Sequence, residues 1–208
     1  MGRLVVVHNV ITLRYEGDEE FKAMLQEVGC PRSLPEIKAY VRGVLAAPRM
    51  VPPLDVLHHI FNRQRIVFPT REKAERFVIN FLGLWDELAS TQMQAGFFRH
   101  PRGEYPATAE GLLRRIQDTG TELEAFLQGL DLGGADPEEF PAEGREALEH
   151  MGQAAALMDR YREVLQAEVP AERHVAEAME VFDRLDEVLE SCILAMAVSL
   201  ATARPSAE

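Results

Sequence analysis

Cysteine is scarce in this 208-residue chain: only Cys30 and Cys192 occur, far apart and without a CxxC pair or a histidine at ligand spacing. That usage excludes a disulfide framework and the usual zinc modules, so both thiols read as buried or inert. Long apolar runs are missing as well. None approaches the roughly 20 residues that a membrane-spanning helix needs. The opening stretch "MGRLVVVHNVITLRYEG" lacks the apolar length and small-residue cleavage site of a secretory signal. A soluble, cytoplasmic protein with no membrane partner is expected. No phosphate cradle is present either: "LGGADPEEF" has two glycines but no Lys-Ser/Thr, and it puts acids where a phosphate would sit. Lysine is rare beside arginine, from which nothing about function follows.

What the chain does have is apolar content and acid. At 47% hydrophobic residues it can bury a full core without metals or disulfides. Its formal charge of −12 is uneven, with 14 Lys and Arg against 12 Asp and Glu in residues 1–105, but 8 against 22 in residues 106–208. An acidic second half repels phosphate backbones, which makes nucleic acid an unfavourable partner. A nucleic-acid regulator would have to use the basic run Arg63, Arg65, Arg71, Lys73 and Arg76, where the surrounding half carries almost no net charge.

Most of the sequence repeats apolar residues at spacings of three and four, the helical period. In "DEEFKAMLQEVG", Phe21, Met24, Leu25 and Val28 share a face and Gly29 stands at a C-cap position. "SLPEIKAYVRGVLAA" opens on an S-x-x-E capping box, Ser33 and Glu36, with Pro35 in the first turn and Ile37, Tyr40, Val41, Val44 and Leu45 inward. Pro48 ends that helix, and "PPLDVLHHIFNR" starts a short one with Leu54, Leu57, Ile60 and Phe61 inward. Thr70 caps the strongest pattern, in which Ala74, Phe77, Val78, Phe81, Leu82, Trp85 and Leu88 hold the period for about four turns; this helix is expected at the centre of the core. After a loop from Gly96 to about Thr108, three further helices are expected. The last carries Val175, Met179, Phe182, Leu185, Leu189, Cys192, Met196 and Leu200, and its apolar end "SCILAMAVSLA" should be buried between helices or against a second copy.

The segment "RLVVVHNVITLRY" breaks this pattern. It is rich in β-branched residues and reads as one strand, a hairpin turning at His8-Asn9, or an irregular arm. The expected organisation is therefore all-α: a bundle of about seven helices over 18–203 with a break near 96–108, an extended or β-like N-terminal arm over 1–17, and a disordered tail over 204–208.

Two stretches carry a resemblance. "AYVRGVLAAPRMVPPLDVLHHIFNRQRIVFPTREKAERFVINFLGLWDELA" has a helix ending in a G-x-L-x-A-P turn (Gly43, Leu45, Ala47, Pro48), a proline pair (Pro52, Pro53), and a long helix running through Trp85, Asp86 and Glu87. "ELEAFLQGLDL" contains Phe126 and Gly129, with Ala125 where a first glycine would complete a Gly-Phe-x-x-Gly step. Together they resemble the YecA/YgfB-like family of uncharacterised bacterial proteins. The resemblance implies an all-α fold, often dimeric, with no established enzymatic activity for the family. Many YecA-type relatives also carry a zinc motif similar to the SecA tail, which "SLATARPSAE" does not contain.

Residues that might suggest chemistry have plainer readings. His58 and His59 are neighbours, about 100° apart on a helix, whereas helical zinc ligands stand at i and i+4, where this chain has Asn62 and Arg63. Di-iron bundles need Glu-x-x-His, which neither His150 (after Glu146) nor His174 supplies. Ser191-Cys192 sits in a helix without a nucleophile elbow. Asp86-Glu87 and Glu138-Glu139 read as solvated acid. The loop residues Phe97, Phe98, Arg99, His100, Arg102 and Tyr105 are the candidate partner surface, because aromatic and arginine side chains anchor interfaces. No cofactor, metal or catalytic residue is expected. The reading is a non-catalytic homodimeric protein-binding adaptor or regulator; the alternative is a metal-dependent hydrolase with Asp, Glu and His scattered across helices.

Overall fold

Among the described residues, two helices far apart in sequence make the most extensive packing. The computed structural model describes residues 14–91, 105–167 and 172–203. These form seven α-helices: α1 (Asp18–Glu27), α2 (Leu34–Ala46), α3 (Pro53–Ile60), α4 (Arg71–Thr91), α5 (Ala109–Leu132), α6 (Ala142–Ala167) and α7 (Glu172–Ala203), with a 3-10 turn at Pro137–Glu139. There is no strand among the described residues. The expected strand or hairpin falls mostly within 1–13, outside them, as does the tail 204–208.

α2 and α5 run side by side in the same direction, Tyr40 level with Gly129, Gly43 with Phe126 and Leu130, and Ala47 with Gly133. A Cβ built on Gly43 would overlap the Phe126 carbonyl, and one on Gly129 would overlap that of Tyr40. The backbones touch because neither glycine carries a side chain to hold them apart, so these two residues permit the close approach of α2 and α5. Ala125 lies 2% exposed near this crossing.

α2 is the hub: it packs on α1, α3, α4, α5 and α7. The expectation that α4 forms the centre is corrected by burial on several faces of α2, at Leu34, Ile37, Ala39, Tyr40, Val41, Gly43, Val44 and Ala46. Phe77, Phe81, Leu84 and Leu88 of α4 are buried, whereas Trp85 is half-buried with its ring 6.5 Å from that of Phe81. The second tight pair is the antiparallel α6–α7 hairpin, which packs on α5.

Local signals agree closely with the sequence. The Ser33–Glu36 capping box forms, with the Ser33 N–H donating to Glu36 at 2.7 Å. Gly29 takes φ 65°, and the Cys30 N–H donates to the Leu25 carbonyl at 2.9 Å, closing α1 in a Schellman turn. α2 stops at Ala46, just before Pro48; Pro52 caps α3 and Pro53 begins it. One inward residue is corrected on α3: Val56 is fully buried, while Leu54 is 50% exposed. The short helix meets the core through Val56, Leu57 and Ile60, which rotates Leu54 outward. Most of the apolar end of α7 is covered within the chain, with Cys192, Ile193, Met196, Ala197 and Leu200 buried and Val198 40% exposed.

Candidate functional site

Glu146, His150, Ser191 and Cys192 meet in one groove on the α6–α7 hairpin, which Glu138, Glu139 and His174 do not line. Glu143, Glu146, Ala147 and His150 line it from α6, and Arg184, Glu187, Val188, Ser191, Cys192 and Ala195 from α7, around a volume of about 690 Å³. Antiparallel pairing brings the two stripes together: Gly144 packs by Ser199 at one end, and Tyr161 meets Phe182 edge-on, centroids 5.4 Å apart, at the other. Between these ends the facing residues Ala147, Ser191 and Ala195 are small, and this opens the groove.

The Ser191 hydroxyl donates to the Glu187 carbonyl at 2.9 Å, inside its own helix. Cys192 is 6% exposed, and burial, with the Glu146 carboxylate adding to it, pushes the thiol pKa upward, away from the nucleophilic thiolate. Among the described residues no group of three or more His, Cys, Asp and Glu is arranged to hold a metal ion. The groove instead offers an apolar floor of Ala147, Cys192 and Ala195, a half-exposed Val188, and exposed carboxylates of Glu143, Glu146 and Glu187 with Arg184 and His150 among them.

A buried ionic cluster supports α7 from behind. Arg115 on α5 is 5% exposed; its guanidinium pairs with Asp186 and reaches Asp183 at 2.9 Å. Burial alone would lower the Arg115 pKa, but hydrogen bonds and charge from Asp186 and Asp183 outweigh it and raise it. Periodicity misses this cluster, because Arg115 occupies a core-facing position that an apolar pattern assigns to hydrophobes. The one sequence signal is an arginine within the otherwise inward stripe of α5.

Of the expected partner surface, Phe97, Phe98, Arg99, His100 and Arg102 lie outside the described residues. Tyr105 is described: it is 8% exposed, and its hydroxyl donates to Asp118 at 2.7 Å. His58 is exposed and His59 partly so, and their carbonyls accept the N–H groups of Arg63 (2.7 Å) and Asn62 (2.9 Å) in the turn ending α3. Their backbones terminate a helix. Within the basic run Arg71 pairs with Glu75, Lys73 with Glu27, and Arg76 with Glu16 and Glu20. Asp86, Glu87, Glu138 and Glu139 are exposed. No helix among the described residues is long and apolar enough to cross a membrane.

No family model matches the chain, and no curated protein matches it. A solved structure, that of the lpg0076 protein from Legionella pneumophila, is similar at a TM-score of 0.55 and 18% identity, covering 93% of this chain and all of that one. At that identity the likeness is one of fold.

Proposed function

We propose that this protein acts by binding another protein, as an adaptor or regulator of the YecA/YgfB-like type, without catalysis. The α6–α7 groove carries the reading: it gathers serine, cysteine, histidine and glutamate, yet the hydroxyl is committed to a backbone carbonyl and the thiol is buried and poorly ionised. An apolar floor bounded by charge suits recognition, in which buried apolar area supplies affinity and the rim selects the partner. The cytoplasm is the compartment proposed for it.

Homodimerisation belongs to the same proposal and rests on the family resemblance, because most of the apolar end of α7 is covered by its own chain. Sedimentation equilibrium tests it directly.

The binding reading is tested with a photo-cross-linking residue at Val188, irradiated in the native cell. A discrete protein adduct that is absent when the same probe stands at Gln26, exposed on α1, supports it. Iodoacetamide labelling adds a second check: a Cys192 that reacts at pH 7 as fast as a catalytic thiolate would overturn the non-catalytic reading.

A further inference from the structure

We propose that the α6–α7 groove receives a basic amphipathic helix of a partner protein. This rests on the protein-binding reading above and names the class of partner.

The shape selects a helix. The groove lies between two antiparallel helices and follows their axes from Arg184 to Ala195, roughly 16 Å at the helical rise. That length accommodates about three turns of a third helix, whose i, i+3, i+4 and i+7 side chains would enter a furrow floored by Ala147, Cys192 and Ala195. An extended peptide would need a free sheet edge, and there is no strand among the described residues.

The charge selects the sign. Glu143 and Glu146 border the groove on one side and Glu187 on the other, against a single arginine, Arg184, and the half from 106 to 208 carries 22 acids against 8 bases. Lysine or arginine flanking an apolar stripe would meet carboxylates on both rims. A second copy of this chain, docked through the same face about a two-fold axis, would bring acid to acid and forfeit that gain. Anionic lipid would be repelled for the same reason. Val188, at 46% exposure, is the residue that such a helix would cover.

The probe is an 18-residue helical peptide with leucine on one face and lysine elsewhere, compared by fluorescence anisotropy with a peptide of the same leucine face and glutamate elsewhere. The full chain should bind the lysine peptide at least about tenfold more tightly. The double variant Glu146→Lys/Glu187→Lys should weaken it by about tenfold or more. Glu87→Lys/Glu124→Lys, of the same net charge at exposed sites on α4 and α5, should change it by less than about threefold. Val188→Asp should weaken it as strongly as the groove pair, with circular dichroism and thermal melting verifying that each variant is folded. Equal weakening by both charge pairs would mean attraction to net charge and would overturn the proposal. So would indifference to Val188→Asp, no preference between the peptides, or a wild-type dimer that Val188→Asp dissociates. A cross-link from position 188 to a protein, with no selective peptide binding, would leave the binding reading standing and remove the basic helix; failure of both removes both.

Discussion

Gly43 and Gly129 meet where α2 and α5 cross, each lying against the backbone of the other's helix at Phe126 and Tyr40 respectively. No side chain fits there, so the spacing of these two helices is set by hydrogen atoms.

Gly43→Ala and Gly129→Ala should each destabilise the fold. Alanine gains about 1 kcal/mol of helix propensity, but overpacking against a carbonyl on a neighbouring backbone costs more, for a net loss of about 1–3 kcal/mol. Gly152→Ala, on α6 with open space around its Cβ, should show the propensity gain alone, about 0.5–1 kcal/mol. Urea denaturation of the three variants checks both signs.

Asp186→Ala leaves the buried Arg115 with only the half-exposed Asp183 and the Met179 carbonyl at 3.4 Å. A loss of about 3 kcal/mol is expected from stranding the guanidinium. The double change Arg115→Met/Asp186→Leu should recover more than half of it, since no buried charge remains. Thr119, a turn from Arg115 and fully buried with no hydrogen-bond partner for its hydroxyl, should tolerate Thr119→Val with a gain of up to about 1 kcal/mol. Comparing denaturation midpoints, a double variant no better than Asp186→Ala would contradict this account.

Asn62 and Arg63 follow α3 with φ of 52° and 60°, two consecutive residues in the left-handed region. Arginine is strained there by about 1 kcal/mol. Arg63→Gly should raise the melting temperature, whereas Arg65→Gly, where φ is not positive, should not. Scanning calorimetry of the two variants is the measurement.

Acid should weaken the attachment of the segment entering α1. Glu16 accepts from Arg76 and from Asn80 Nδ2, its own N–H donates to Asn80 at 2.9 Å, and a Cβ on Gly83 would strike the backbone of Arg14 and Tyr15. The Arg76 guanidinium, then Asn80, holds the Glu16 carboxyl at about 2, below its ordinary 4.5. A lowered folded pKa contributes stability in full above 4.5 that disappears as pH falls toward 2. Solvent screens this outward-facing pair, so the effect is below about 1 kcal/mol. Glu16→Gln should be less stable than wild type at pH 7, with the two converging near pH 2 in a pH series of urea melts.

Much of the fold was legible in the chain because its signals are local. The Ser33–Glu36 box, the Gly29 turn, the proline stops around α3 and the period of α4 depend on residues within one or two turns. Periodicity also marks which residues turn inward, and it erred at Leu54 and Val56 because an eight-residue helix holds only two turns from which to judge a face. The site was less legible. Glu146, His150, Ser191 and Cys192 stand on two separate helices, and nothing in their spacing says that α6 and α7 lie antiparallel.

By itself the sequence determined the helical class, the helix ends and the acidity of the second half, all properties of composition or short-range spacing. Tertiary structure alone decided that α2 is the hub, that Gly43 meets Gly129, that Arg115 is paired in the interior, and that two helices leave a groove where their facing residues are small. Those are contacts between segments tens of residues apart. They are set by which faces pack once every helix has formed, and no local pattern encodes that choice.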